Sequence, residues 1–556
     1  MRAIAFGGRA GWLHEGRSRR GVVVCASLGL EELCGRRTLH LLAERLAAAG
    51  LPTLRFDYRG EADSLGDAED ADCVLRWRDD VTAAIEYLRR DAGVSEIALV
   101  GMRFGALLAA EIAAGRDDVT HAALVAPVAA GKTWLRETRI LARMIETEAP
   151  DAHAPRRDDL GLAGFSIMDE TAAALGAMTI EGIARRPAPA IMLVEPASGR
   201  AGAKIAAHLE ALGASVARAD FPGYEQMMCD PALSTPAEAI LDPLVQWLAA
   251  GAESAPAIAR AGDAGWIDGD AWREQGVLIG AGPLAGVWCE PVGRAPSRTV
   301  VFAGPGNNHH IGWGRSHVEL ARALARGGVA SLRFDYAGVG DSAGRRTDIY
   351  DSARGVDIAA AVDWAAAKGD GRISIVGVCS GAYHSLRLAA RDARIERLVL
   401  LNQQRYELDM HHRLSWLAYT LQARVVFALD AKDKSPLKAR ALAAALAALP
   451  WIRRVGSVAN RAIRRLKGQK DGAAPSGPNK TERNFGAISR RGARILIVHS
   501  PGDPAIVEIE RFMGPDGAKA TALPGVARIV LADADHLLSS RAARQAYTAE
   551  AIRFLT

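Results

Sequence analysis

A cysteine stands at the centre of Gly377-Val378-Cys379-Ser380-Gly381, and residues able to equip it as a nucleophile follow in the chain: Asp503 in Gly502-Asp503-Pro504 and His536 in Asp533-Ala534-Asp535-His536. A thiolate attacks carbonyl carbon well, an imidazole within hydrogen-bond reach takes its proton, and a carboxylate holds the imidazole in one tautomer. Glycines on both sides suit a residue on a sharp turn, where neighbouring side chains would collide. The pentapeptide alone is a weak sign, since such spacing arises by chance. Its context gives it weight. An apolar run, Ile373 to Val376, precedes it and a helical pattern, Ala382 to Ala393, follows; the acid and the histidine each lie just past a later apolar run, Ile495 to Val498 and Arg528 to Leu531. Two backbone N–H groups are expected to receive the developing oxyanion, those of Ser380 and of Asn307. Asn307 belongs to Gly304-Pro305-Gly306-Asn307-Asn308-His309-His310, where Gly304, Gly306, His309 and His310 are expected to face the substrate. Plainer readings stand beside these: Cys379 as an inert buried thiol, Ser380 as the nucleophile, Asp535 as the orienting acid. The adjacent histidines have no third ligand at a suitable spacing, so no metal and no cofactor is expected.

The elements that must hold these residues occur twice. Leu54-Arg55-Phe56-Asp57-Tyr58 returns as Leu332-Arg333-Phe334-Asp335-Tyr336, and each is followed by a glycine turn and an Asp-Ser pair, Asp63-Ser64 and Asp341-Ser342. A helical pattern ending in glycine precedes each run, Leu39 to Gly50 and His317 to Gly328. An Ala-rich amphipathic stretch follows, Asp80 to Arg90 and Asp357 to Lys368, then a short apolar strand opening into a glycine-flanked pentapeptide. Strands alternating with helical segments predict crossover units around a parallel sheet, so each half is expected to be a doubly wound α/β domain. The periodic pattern breaks after a last helix at Ala237 to Ala249 and restarts as a strand over Gly276 to Pro291, which puts the domains at 1–255 and 256–556.

In this arrangement the chain resembles the α/β-hydrolase superfamily, of the serine aminopeptidase S33 and acylglycerol-lipase type, in tandem. The order nucleophile, acid, histidine is that of the superfamily. The second half is similar to the exosortase-associated hydrolases of bacterial polysaccharide clusters in Arg333-Phe334-Asp335-Tyr336, Gly377-Val378-Cys379-Ser380-Gly381-Ala382 and Leu400-Leu401-Asn402. The first half resembles the companion type whose pentapeptide reads Gly-x-Arg-x-Gly, here Gly101-Met102-Arg103-Phe104-Gly105. A guanidinium stays protonated and cannot attack a carbonyl. Gln226 stands where the other copy has His536, and no acid matches Asp503, although Glu195 is near in sequence. The first domain is therefore expected to be catalytically silent, with Arg103 either a salt-bridged plug or an anion site.

Composition is that of a folded globular protein: 556 residues, 49% hydrophobic and 24% charged. No apolar stretch suits a signal peptide or a spanning helix, and the six cysteines form no CxxC pair, so a cytoplasmic protein without a disulfide framework is expected. A net charge of +5 argues against a nucleic-acid partner. Much of the positive charge falls between Arg453 and Arg483, a run expected either to meet a membrane surface or anionic groups or to form a solvated face. It lies in an insertion of about 404–490 whose apolar helical runs are expected to form a lid or to pack on the sheet. The expected reaction is cleavage of a small acyl ester or thioester, free or carrier-bound, through an acyl-cysteine. An acyltransferase on the same intermediate and a non-catalytic scaffold are the alternatives.

Overall fold

The computed structural model describes residues 1–146, 162–197, 199, 201–254, 265–369, 371–408 and 477–556. Two sheets account for its architecture. The first contains β1 (Arg2–Phe6), β2 (Arg9–His14), β3 (Arg20–Cys25), β4 (Thr53–Phe56), β5 (Glu96–Met102), β6 (Val119–Val125), β7 (Ala190–Glu195) and β8 (Ser215–Asp220), in the order β1-β2-β4-β3-β5-β6-β7-β8. The second contains β9 (Ile267–Asp268), β10 (Trp272–Ile279), β11 (Leu284–Pro291), β12 (Thr299–Ala303), β13 (Ala330–Phe334), β14 (Ile373–Val378), β15 (Ile395–Leu401), β16 (Arg494–His499) and β17 (Val526–Val530). From β10 onward its order, β10-β11-β13-β12-β14-β15-β16-β17, repeats that of the first sheet strand for strand, with β9 as an added edge. In both sheets the leading hairpin is antiparallel and joins the rest antiparallel, β9 adds a further antiparallel edge to the second, and the strands beyond the hairpin run parallel. The expected single strand over Gly276 to Pro291 is in fact the end of β10, a turn and β11, because positive-φ Gly280 lets the chain reverse.

Alternation within the parallel strands divides the second core between two faces. Val301 and Ala303 of β12 pack with Ile358, Val362 and Leu386 of helices Ser352–Lys368 and Ser380–Ala389. Val300 and Phe302 pack with Leu320, Leu324, Tyr547 and Leu555 of helices Ser316–Arg326 and Arg541–Leu555. Most of the expected lid, and of the basic run within it, falls on 409–476, outside the described residues. So does the expected domain boundary, in 255–264. Among the described residues no helix is long and apolar enough to cross a membrane.

The repeated Arg-Phe-Asp-Tyr…Asp-Ser segments meet across the junction of the two halves and exchange partners. Asp341 of the second copy accepts from Arg55 of the first at 2.5 Å and from Arg36 at 2.8 Å, while Asp63 of the first copy accepts from Arg333 of the second at 3.0 Å and pairs with His310 at 2.7 Å. Backbone carbonyls follow the same rule: Arg315 donates to Gly60, Ala62 and Ser64, and Arg37 donates to Ser342 and Gly344. Glu274 neutralises both Arg322 and Arg333. A small apolar contact of Ala3, Trp12 and Ala285 adjoins this charge layer. Burial works to neutralise the carboxylates, but His310 and Arg333 hold Asp63, and Arg55 and Arg36 hold Asp341, well below the usual carboxylate range. Burial likewise opposes the charge of His310, yet Asp63 and Asp335 push it up to about 10.

A histidine whose folded pKa is raised contributes stability that is complete below its unfolded value of 6.5 and is lost as pH rises through about 10. The melting temperature is therefore expected to fall between those pH values. Asp63→Asn, which removes the carboxylate that raises His310 most, is expected to cost about 3–5 kcal/mol at neutral pH and to make the fall shallower. Melting curves across that range check this; parallel slopes for wild type and variant would contradict it.

Candidate active site

Between the end of β14 and helix Ser380–Ala389 a single residue turns the chain: Cys379, at φ 51° and ψ −115°. A non-glycine residue held there stores about 1–3 kcal/mol of strain, so its surroundings must impose the turn. They do so through close packing. A Cβ on Gly381 would lie 2.1 Å from the Ala303 carbonyl oxygen, and one on Gly377 would lie 2.6 Å from the Ala382 Cα. Cys379 N–H donates to the Leu401 carbonyl at 2.9 Å. Of the six cysteines five are buried and Cys379 is partly exposed. Burial pushes the Cys25 thiol up to about 12 and that of Cys73 up to about 11, which makes both poor nucleophiles.

Asp503 and His536 follow the ends of β16 and β17, the second and third strands beyond β14 on the same side of the sheet. Nδ1 of His536 lies 2.6 Å from Asp503 Oδ2. The other carboxylate oxygen of Asp503 accepts from Ala505 N–H at 2.8 Å and caps helix Pro504–Met513. With Nδ1 engaged, Nε2 is the nitrogen left for the sulfur. Burial lowers the His536 pKa, but hydrogen bonds with Asp503 and Cys379, and their charges, outweigh it and bring it up to about 10. Asp535, the alternative acid, instead accepts from Ser539 N–H at 2.8 Å. The Ser380 hydroxyl, the alternative nucleophile, accepts from Gly306 N–H at 2.8 Å.

One residue of this arrangement was named by sequence only for its resemblance. Asn402, fully buried at φ 46°, follows β15 and donates through Nδ2 to Ser500 Oγ (2.9 Å) and to the His536 carbonyl (3.0 Å), while its Oδ1 accepts from Ser500 N–H (2.8 Å). Ser500 Oγ in turn donates to the Asp535 carbonyl at 2.7 Å. These bonds tie the histidine loop to two strand ends. A polar residue closing the apolar Val-Leu-Leu run was the available signal. Gln404, whose amide lies 3.2 Å from His536 Nδ1, gave none.

The loop after β12 packs on the elbow. Tyr336 donates to the Gly304 carbonyl at 3.2 Å, and Gly306 N–H is taken by Ser380. Asn307 N–H has no hydrogen-bond partner among the described residues, and Ser380 N–H, first in its helix, has none within that helix. His309 and His310, expected at the substrate, are 4% and 2% exposed and lie in the charge layer between the halves, where Asp63, Asp335 and Asp341 surround them. Two such groups, Asp63-His309-His310 and His309-Asp335-Asp341, bring ligand atoms within 4.8 Å. The sequence argument that no third ligand exists thus fails, because the carboxylates arrive from distant segments and from the other half. Asp63 and Asp341 are, however, already neutralised by Arg333, Arg55 and Arg36.

The first half repeats the elbow with Arg103 at its tip. Arg103 adopts φ 56° and ψ −118°, nearly the angles of Cys379. Its guanidinium donates to Glu31 at 2.9 and 3.1 Å and to Glu137 at 2.6 Å, with the Tyr224 ring 5.8 Å away. Glu31 also accepts from Ser27 Oγ and from Trp134 Nε1. Helix Gly29–Ala48 thus supplies a buried carboxylate to Arg103, whose guanidinium is buried and engaged with two glutamates rather than open to an anion. Gln226 lies in the short helix Tyr224–Met227, and Glu195, at the end of β7, is paired with Arg218 at 2.8 Å.

A family model described as serine aminopeptidase, S33, matches residues 17–163, and one described as alpha/beta hydrolase family matches residues 300–549. No curated protein matches the chain. Among solved structures it is similar to the esterase Pf2001 of Pyrococcus furiosus, at 17% identity over 51% of this chain and 90% of that one, with a TM-score of 0.34. Est1E of Butyrivibrio proteoclasticus, solved with ferulic acid bound, shares 14% identity over 45% of this chain and 98% of its own, with a TM-score of 0.33. XC6422 of Xanthomonas campestris, a serine hydrolase without a lid, shares 16% identity over 51% and 95%, with a TM-score of 0.30.

Because Glu31 is buried against Arg103, Arg103→Met is expected to destabilise the protein by about 3–5 kcal/mol, and pairing it with Glu31→Leu is expected to recover most of that loss. Chemical denaturation of the two single variants and the double variant measures the coupling. Additive losses would mean that Arg103 is not a plug.

Proposed function

The chain belongs to the α/β-hydrolase superfamily, with two domains in tandem, and from that premise we propose that its second domain cleaves an ester or thioester through an acyl-cysteine formed on Cys379. The observation that carries this reading is the Cys379, His536 and Asp503 constellation, with the histidine pushed up to about 10 by both partners. Asp503 on Nδ1 and Cys379 beside the ring both favour the protonated imidazole, the form that hands a proton to a leaving group.

In this mechanism the Cys379 thiolate attacks the acyl carbonyl carbon. The oxygen takes up negative charge facing the N–H groups of Ser380 and Asn307. Collapse of the tetrahedral intermediate expels the alcohol or thiol, which leaves with the proton from His536 Nε2, and the acyl group stays on sulfur as a thioester. Water then attacks that carbonyl while His536 accepts its proton. The second collapse releases the acid and restores the thiolate with imidazolium. Asp503 stays ionised throughout and stabilises the imidazolium through Nδ1. Domain one takes no chemical step in this reading, since its elbow presents Arg103 engaged with Glu31.

The cysteine itself favours a second reading, acyl transfer. A thioester keeps acyl-transfer potential that a serine ester loses, so an alcohol, amine or sugar can replace water. Resemblance to the exosortase-associated hydrolases makes a glycan or lipid-linked precursor a reasonable acceptor. On either reading the basic run 453–483 is a candidate contact for a carrier-bound substrate or an anionic surface.

Incubation with p-nitrophenyl acetate followed by intact-mass measurement is expected to show one acetyl adduct, absent in Cys379→Ala. No adduct from this or a short-chain acyl-CoA would favour a scaffold. Candidate acceptors added to the acylated protein then separate transfer from hydrolysis. Asp503→Asn is expected to lower kcat on the order of 10³-fold. Because Asp503 raises the His536 pKa, the same change should move the alkaline limb of kcat/KM, which follows loss of the imidazolium proton, from near pH 10 to lower pH. An unmoved limb would remove His536 from the reactive pair.

A further inference from the structure

The loop that carries Asn307 is held from four directions, and one of them is the other domain. Tyr336 fixes the Gly304 carbonyl and Ser380 fixes Gly306 N–H. The Asn307 side chain is gripped at both ends. Its Oδ1 accepts from Arg354 at 2.8 Å, and its Nδ2 donates at 3.0 Å to the carbonyl of Ala232, which belongs to domain one. Arg354 is itself buried and lies over the Tyr336 ring at 4.6 Å.

The domain-one partner is anchored as firmly. Ala232 N–H donates to Asp230 Oδ1 at 2.8 Å, Ser234 Oγ donates to the Met227 carbonyl at 2.7 Å, and Thr235 N–H donates to the Gln226 carbonyl at 3.0 Å. This loop follows directly on helix Tyr224–Met227, where domain one carries Gln226 at its vacant histidine position. A second bond reinforces the same contact: Arg346 of domain two donates to the Ser234 carbonyl at 2.5 Å.

We propose that the Asp230–Thr235 loop of domain one is a working part of the domain-two site, and that the Asn307 side chain is a positioning group through which the Ala232 carbonyl aims Asn307 N–H at the oxyanion. This rests on the proposed acyl-cysteine chemistry, in which that N–H is one of the two donors. The physical need is local. Gly306 sits at φ +52° with open space where a side chain would be, so its own residue does nothing to restrain the peptide joining it to Asn307. A rotation of that peptide would turn the N–H away from the elbow. Fixing the Asn307 side chain at both ends prevents the rotation, and one of the two fixed ends is supplied by the silent domain.

The test separates aiming from adhesion. Asn307→Asp keeps the shape and the acceptor for Arg354 but cannot donate to Ala232. Single-turnover acetylation by p-nitrophenyl acetate passes through the oxyanion, whereas alkylation of Cys379 by iodoacetamide is a displacement at carbon that forms none. Loss of one oxyanion donor costs about 10²–10³-fold, so misaiming one is expected to slow acetylation by about tenfold or more. Alkylation should stay within about twofold of wild type. Asp230→Ala, which removes the carboxylate holding Ala232 N–H, is expected to give the same pattern in smaller measure. Acetylation at the wild-type rate in Asn307→Asp would overturn the proposal, as would a parallel loss of both reactions in both variants. If wild type forms no Cys379-dependent adduct, the acyl-cysteine reading fails first and takes this inference with it.

Discussion

The structure depends on a reciprocal exchange of buried charge. Asp63 belongs to the first repeat but is neutralised by Arg333 and His310 of the second, and Asp341 belongs to the second but is neutralised by Arg55 and Arg36 of the first. A buried carboxylate without its partner costs several kcal/mol, so neither half can shed the other without leaving ions in an apolar setting. The interface therefore resembles a shared core more than a docking surface. It also accounts for the fate of His309 and His310, which this charge layer draws away from the loop where substrate is expected.

Both elbows keep the same strained turn, but they hold different things in place. Around Cys379 the packing of Gly377 and Gly381 accompanies a partly exposed thiol, with the paired Asp503 and His536 following β16 and β17. Around Arg103 the same turn presents a guanidinium that Glu31 and Glu137 bond and the Tyr224 ring flanks. The turn follows from backbone geometry and outlasts the chemistry. What disappears with the nucleophile is the set of polar side chains that positioned its partners: Asn402, which ties the histidine loop to Ser500, corresponds to Ala126 at the end of β6, also at φ 46°. An alanine there has nothing with which to hold such a loop.

Two kinds of contact thus join the first domain to the second. The charge layer fixes the relative placement of the halves, and the Ala232 carbonyl reaches the loop that carries Asn307.

The sequence by itself determined the duplication, the strand and helix alternation, the elbow, and the order of Cys379, Asp503 and His536, because these follow from local patterning: apolar runs of strand length, glycines at a turn, and a polar residue just past each strand. It also determined that Arg103 cannot be a nucleophile, a matter of its side-chain chemistry alone. Only the tertiary structure decided which acid meets the histidine, that Arg103 is a plug, and that the strand read over Gly276 to Pro291 is a hairpin joining the sheet edge. It alone showed that Asp63 and Asp341 trade partners, that Asn402 bonds to Ser500 and to the His536 carbonyl, and that the Ala232 carbonyl accepts from Asn307. The reason is that the bonds exchanged by Asp63 and Asp341, and those of Asn402 with the histidine loop and of Ala232 with Asn307, join residues 75 to 305 positions apart, and the repeated motif reads identically whether each aspartate pairs within its own copy or across to the other. Burial and charge balance choose between those pairings, and both exist only once the chain has folded.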